Sequence, residues 1–196
     1  MIRALLLSLT LAMPLAAAEE SADELWRRLQ GGHHVLLVRH AATEPGVGDP
    51  PGFALADCAT QRNLSAPGRA DAEALGAAMR LHGVPVAQVL TSRWCRCQDT
   101  ARIAFGRAEP APVLDSMMND DDGARARKLA GLRAVVLAWS AAGNLVLVTH
   151  DVTIRALTGE RLAPGEMLVA TRRPDGSLAV VGKLGVPKSA DAVQSM

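Results

Sequence analysis

Neither sign of charge is in surplus in this sequence: 21 lysines and arginines stand against 20 aspartates and glutamates, a formal net charge of +1. So balanced a chain carries no electrostatic footprint for nucleic acid or for an anionic membrane surface, and neither is expected as a partner. Beyond the first eighteen residues no apolar run is long enough to cross a bilayer, so no stable membrane insertion is expected of the remainder. Low-complexity segments and internal repeats are also lacking. Cysteine is scarce, with three in 196 residues and no C-x-x-C pair, which excludes a thioredoxin-like redox role.

The first eighteen residues have their own character. Arg3 is a short basic start, Ala4 to Leu15 is apolar but shorter than the roughly 20 residues a spanning helix needs, and Ala16-Ala17-Ala18 offers small residues before Glu19. Residues 1–18 read as a secretory signal peptide, which places the mature protein in the periplasm or outside the cell. Its removal takes the formal net charge from +1 to 0, because Arg3 is its only charged residue. Residues 19–196 then have the length of one domain, at about 100–200 residues per domain. With 49% of the chain apolar, they suffice to bury a core.

The chain is organised around Val35 to Glu44, VLLVRHAATE. The run Val35-Leu36-Leu37-Val38 is apolar at every position, the pattern of a strand buried on both faces of a parallel sheet, and it stops abruptly at Arg39-His40. Ligands of open α/β sheets bind outside the carboxyl ends of the strands, so a cation and an imidazole at this point are placed for chemistry on an anion. Asn144 to His150, NLVLVTH, repeats the design and is followed by Asp151 and a helical pattern. Val89 to Ser92 is a third such strand, whose exit carries Arg93 and Arg96. One strand end of this kind can be simple solvation of a terminus; three together point to a site.

These motifs resemble those of the histidine phosphatase superfamily, the phosphoglycerate-mutase-like fold. Its Arg-His-Gly signature stands here as Arg39-His40-Ala41, with Thr43 at the usual threonine and alanine in place of the glycine. Further matches are Leu64-Ser65-x-x-Gly68-Arg69, Ser92-x-x-x-Arg96-x-x-x-Thr100-Ala101 and Thr149-His150, in the family's order from about residue 34 to about residue 170. The resemblance implies an α/β three-layer sandwich with a mostly parallel central sheet. It also implies a nucleophile, His40, that becomes phosphohistidine, and a phosphate pocket formed by Arg39, Arg96 and His150 with Thr43 nearby. Neither metal nor any other cofactor is required by that chemistry, and the expected partner is a small-molecule phosphate ester.

The pattern of the remaining chain gives the scaffold. Ser21 to Leu29 reads as a capped helix stopped by Gly31-Gly32. His33-His34, with no carboxylate or cysteine at ligand spacing, reads as a polar lead into the strand rather than as a metal site. Glu44 to Asn63 is a long Gly-, Pro- and Asp-rich loop expected to form a pocket wall, with Arg62 as the residue to watch in it. Ser65 caps the next helix, which ends at Gly83; His82 in its last turn suits the helix dipole. A helix after Ser92 closes at Gly106, Ala111 to Leu114 is an edge strand, and Ala124–Ala141 is a helix with Asp120-Asp121-Asp122 before its start. Met167–Ala170 and Leu178–Val181 form a hairpin, and the tail from Pro187 has no core pattern.

Arginine suits the proposed chemistry because its planar fork binds two phosphate oxygens and never loses its charge. Protonation of the leaving alkoxide calls for a carboxylic acid. Asp151 after His150 resembles the donor of the acid phosphatase and phytase branch, whereas the loop after the third strand offers Asp115, then Asp120. Of the cysteines, Cys95 and Cys97 point to different sides of a helix, so Cys58 can bond only one of them. Cys95, beside Arg96 on the same rim as the Cys58 loop, is the favoured partner. The expected function is phosphomonoester hydrolysis, on a generic phosphomonoester or a small envelope-derived sugar phosphate. The competing functions are a phosphomutase, which an export signal disfavours, and a non-catalytic phospho-ligand or envelope-binding module, which Ala41 keeps open.

Overall fold

The structure, a computed structural model, describes residues 21–186; the expected signal peptide and the tail from Pro187 lie outside the described residues. The helices are α1 (Ala22–Gln30), α2 (Ala66–Leu81), α3 (Cys95–Phe105), α4 (Asp122–Ala138) and α5 (Asp151–Thr158). The strands are β1 (Val35–Arg39), β2 (Val86–Thr91), β3 (Glu109–Pro110), β4 (Asn144–Thr149), β5 (Met167–Arg172) and β6 (Leu178–Leu184). They form one sheet in the order β3-β2-β4-β1-β5-β6. The β3-β2, β2-β4 and β4-β1 pairs are parallel; β5 and β6 add an antiparallel edge.

The apolar runs become central strands because alternate side chains serve opposite faces of the sheet. On one face Leu36, Val38, Val146 and Val148 pack with Leu25 and Leu29 of α1, Leu75 and Met79 of α2, and Ala101 and Ala104 of α3. On the other, Val35, Leu37, Leu145 and Leu147 pack with Leu132 and Val136 of α4 and Ile154 of α5. All eight strand residues are fully buried, each contributing about 1.5–3 kcal/mol by removal from water. The result is the three-layer α/β sandwich expected from the sequence.

The helix starts follow the capping residues. Ser21 Oγ accepts from Glu24 N at 3.3 Å, Ser65 Oγ from Gly68 N at 3.2 Å and Asp121 Oδ1 from Ala124 N at 2.6 Å. His82 caps the end of α2 and stacks on Trp26, with ring centroids 4.4 Å apart. Gly68 belongs to α2 for a packing reason: a Cβ there would lie 1.9 Å from the carbonyl oxygen of Ala42, so only glycine lets the helix lie against the chain leaving β1. Among the described residues no helix is long and apolar enough to cross a membrane.

Two elements differ from the sequence expectation. The edge strand is Glu109–Pro110, not Ala111–Leu114; Pro112 has no N–H for a ladder, and Pro112–Leu114 coils into a 3-10 turn that buries Leu114 completely. The fourth helix runs over Asp122–Ala138 rather than Ala124–Ala141. Arg172 on β5 ends it early, its Nη1 donating to the carbonyls of Val136, Leu137 and Trp139 at 3.2, 3.0 and 2.8 Å.

Candidate active site

The parallel order β2-β4-β1 brings three strand ends to one edge. Arg39 is in register with Thr149, and His40 N continues the ladder to Thr149 O at 3.0 Å, so the residues that follow each strand emerge side by side. The His40 and His150 rings therefore meet edge to face, 5.4 Å between centroids. Ser92 N bonds Val148 O at 2.9 Å, placing the exit of β2 beside His150, and α3 starts three residues later with Arg96 in its first turn.

These residues line a cavity of about 710 Å³ that contains Arg39, His40, Arg62, Arg96, Asp115, Asp120, His150 and Asp151. Thr43 is the expected phosphate contact that does not line it; its backbone instead pairs with Leu64 in an isolated antiparallel bridge. The long loop forms a wall, as expected, through Gly48, Asp49, Phe53 and Arg62. Ala41 is fully buried against Leu64 and Ala72 and donates its N–H to Thr100 Oγ1 at 3.0 Å, so the alanine in the Arg-His-Ala motif is absorbed by an apolar contact.

Both histidines are buried, His40 at 6% exposure and His150 at 4%. Burial, with the Ala41 carbonyl opposing it and Arg96 and Arg39 adding to it, lowers the His40 pKa to about 3. Burial first, then His40 and Arg96, holds His150 well below its ordinary value. The ring nitrogens are assigned roles by their partners. His40 Nδ1 lies 2.9 Å from Ala41 O, and a carbonyl only accepts, so the proton is on Nδ1 and the lone pair is on Nε2. His150 Nε2 lies 2.9 Å from Ser92 Oγ, whose own hydroxyl is 3.3 Å from Asp115 Oδ1.

Three arginines surround the histidines. Arg39 Nη1 donates to Leu162 O at 2.6 Å and Arg62 Nη1 to Gly46 O at 2.7 Å. Arg96 is gripped by Asp49, with Nη1 to Oδ1 at 2.7 Å and Nη2 to Oδ2 at 3.3 Å. In all three the Nε is buried with no hydrogen-bond partner. Three guanidinium groups beside two neutral imidazoles give the cavity an excess of positive charge on this side, which suits an anion.

The candidate acids differ sharply in occupation. Asp115 accepts from Arg93 N, Nε and Nη2 at 2.9, 2.8 and 2.6 Å and from Ser92, so its carboxylate is fully engaged. Asp120 is paired with Lys128 at 3.0 Å. Asp151 Oδ1 accepts only from the backbone N of Leu162, at 3.1 Å, the residue whose carbonyl holds Arg39. Asp49 is also engaged: burial raises its carboxyl, but the bonds from Arg96 and Trp94 outweigh that and hold it below the usual range.

Cys58 is bonded to Cys95, with Cα atoms 5.7 Å apart, and Cys97 is a buried free thiol pushed up to about 12 by burial. His33 and His34 join no metal cluster among the described residues; His34 Nδ1 bonds Gly32 O at 2.7 Å. Sequence reasoning missed Asp49, Phe53 and Trp94. Trp94 donates its Nε1 to Asp49 at 2.8 Å and stands edge-on to His150 at 5.3 Å, with Phe53 5.8 Å away. The only local signal was the loop's length, since nothing in spacing ties Asp49 to α3.

Residues 35–120 match the family model of the histidine phosphatase superfamily (branch 1). The matched stretch runs from the start of β1 to just before α4, and the fold as a whole is similar to that of solved phosphatases. The structure of the protein histidine phosphatase SixA complexed with tungstate is similar, with a TM-score of 0.56 at 16% identity over 78% of this chain and 96% of that one. A protein of Nakamurella multipartitia, a proposed phosphohistidine phosphatase SixA, has a TM-score of 0.57 at 19% identity over 80% and 97%. A variant phosphoserine phosphatase of Entamoeba histolytica in complex with phosphoserine has 0.56 at 12% identity over 82% and 98%. No curated protein sequence matches the chain.

Proposed function

We propose that this protein hydrolyses small phosphate monoesters through a phosphohistidine formed on His40, without a metal, outside the cytoplasm. The observation that carries the reading is the convergence of Arg39, Arg62 and Arg96 on the neutral His40 in one cavity. Phosphoryl transfer needs an in-line nucleophile and positive groups at the equatorial oxygens, and little else from the protein. His40 Nε2 attacks phosphorus, the ester P–O bond breaks, and the departing oxygen takes a proton from Asp151, the least engaged carboxyl in the cavity. Water then gives a proton back to Asp151 as its oxygen attacks phosphorus, the P–N bond to His40 Nε2 breaks, and inorganic phosphate leaves. The names of the similar structures, phosphohistidine and phosphoserine phosphatases, support hydrolysis over a mutase reaction.

The cavity is far larger than a phosphoryl group, and Phe53, Trp94 and Met118 share its lining with Asn119 and Arg127. Apolar faces beside hydrogen-bonding groups suit a leaving group of sugar size, in keeping with an envelope-derived sugar phosphate. The signal-like residues 1–18 support action outside the cytoplasm. The test is hydrolysis of p-nitrophenyl phosphate and of a panel of sugar phosphates by the mature protein and by His40→Ala, each with and without excess chelator. Turnover by the wild type alone, unchanged by chelator, is expected. Loss with EDTA that zinc or magnesium restores overturns the metal-free mechanism, and turnover by His40→Ala within about tenfold of wild type overturns the covalent one.

A further inference from the structure

Asp49 and Arg96 form an ion pair at the cavity wall with side chains only 7% and 6% exposed. We propose that Asp49 is the positioning residue for the phosphate-binding arginine: it takes the two terminal nitrogens of the Arg96 guanidinium and so fixes that group in the cavity wall. This rests on the reading of Arg96 as a phosphate ligand.

The bonding of both partners carries the assignment. Asp49 Oδ1 accepts from Arg96 Nη1 at 2.7 Å and from Arg62 N at 3.1 Å; Oδ2 accepts from Trp94 Nε1 at 2.8 Å and Arg96 Nη2 at 3.3 Å. One carboxylate thus ties two of the three arginines, one through its backbone, to the indole that stands against His150. Arg96 Nη1 also donates to Arg62 O at 3.5 Å, and Nε is the one guanidinium nitrogen without a partner, although the residue is buried. A long side chain with rotamer freedom needs such a clamp before it can present one edge to an anion.

Asp49 is itself delivered by ties that do not depend on Arg96. The loop that carries it is bonded to the start of α3 by Cys58–Cys95 and by Gln61, whose Oε1 accepts from Cys95 N at 3.0 Å while its Nε2 donates to Ala54 O and Leu55 O at 3.1 Å. Two other roles for Asp49 fit less well. As a self-blocking anion it would have to be displaced by phosphate, stranding Trp94 Nε1 and Arg62 N. As proton donor it would need a proton on an oxygen that faces a guanidinium, which favours the ionised form.

The experiment compares wild type, Asp49→Asn, Asp49→Ala, Arg96→Ala and the Asp49→Ala/Arg96→Ala double variant, all with the disulfide intact. It reads kcat/KM on p-nitrophenyl phosphate and on glycerol 2-phosphate, and the affinity for inorganic phosphate by calorimetry. The Asp49 variants should lose about 100-fold in kcat/KM equally on both substrates. They should bind phosphate more weakly, and the double variant should be no worse than Arg96→Ala, because Asp49 acts through Arg96. A gain in activity, a loss confined to glycerol 2-phosphate, or losses that multiply in the double variant overturns the proposal. Asp49→Asn keeps the size and one of the two acceptor oxygens, so it decides the matter if Asp49→Ala does not fold. Should wild type hydrolyse neither substrate, the phosphatase reading fails on its own. Phosphate affinity then decides for Asp49: parallel weakening in the Asp49 and Arg96 variants supports its role, while unchanged affinity in Asp49→Asn, or no binding by wild type, overturns it.

Discussion

His40 donates its Nδ1 proton to the carbonyl oxygen of Ala41, the next residue in the chain, across 2.9 Å. That contact fixes the ring tautomer and aims the reactivity of the histidine: only Nε2 keeps a lone pair. Phosphoryl trapped on the enzyme should therefore be on Nε2. Wild type quenched in alkali during turnover should yield the Nε2 isomer of phosphohistidine by phosphorus NMR of the digest, and none from His40→Ala. The Nδ1 isomer would contradict the assignment.

Asp151 is the least engaged carboxyl in the cavity, whereas Asp115 is locked to Arg93. Asp151→Asn should be slow on alkyl phosphates, whose leaving groups need a proton, and much less impaired on p-nitrophenyl phosphate, whose leaving group does not. Equal losses on both substrates would remove Asp151 from the donor role.

The two buried histidines make stability sensitive to mild acid. Their folded pKa values lie below the unfolded value near 6.5, His40 at about 3, so the unfolded chain binds more protons between those limits. Stability is full above about pH 6.5 and falls as the pH drops from there toward 3. Thermal midpoints should decline already between pH 6.5 and 4, above the range in which Asp49 gains its proton. A midpoint flat over that interval would count against neutral buried imidazoles.

Cys58→Ser should lower stability by about 3–4 kcal/mol in the chain-entropy account, since the bridge closes a separation of 37 residues. The Cys97 thiol, fully buried and pushed up to about 12, should resist alkylation until the protein unfolds. Denaturant unfolding of Cys58→Ser against wild type checks the first; peptide mapping checks the second, with Cys97 labelled only under denaturing conditions and Cys58 only after reduction.

Gly68→Ala should destabilise the fold by at least about 1–3 kcal/mol, as overpacking does. The added Cβ would meet the Ala42 carbonyl, which already accepts from Ser65 N at 3.1 Å and cannot easily retreat. Because Ala42 is two residues beyond His40, turnover should fall along with the denaturation midpoint. An unchanged midpoint would mean that α2 does not lie against Ala42 as described.

Much of this was legible in the chain because it depends on short range. The strands ending at Arg39-His40 and Thr149-His150 announced themselves by unbroken apolar runs, and the caps Ser21 and Ser65 by residue type. Where prediction slipped, a distant group had intervened. Arg172 ends α4 from across the hairpin, and Pro112 turns a presumed strand into a 3-10 coil over the core.

The sequence alone determined which strand ends bring Arg39, His40 and His150 to the cavity, since a strand period of two and the apolar-to-charged switch at a strand end are local properties. It also narrowed the cysteines to one bridge and one thiol. What only the tertiary structure decided is how those groups are held: that Asp115 is consumed by Arg93, that Thr43 does not line the cavity, and that Asp49 clamps Arg96 from 47 residues away. The physical reason is that a carboxylate's role depends on which donors reach it, and those donors converge only when the loop and α3 are folded against each other.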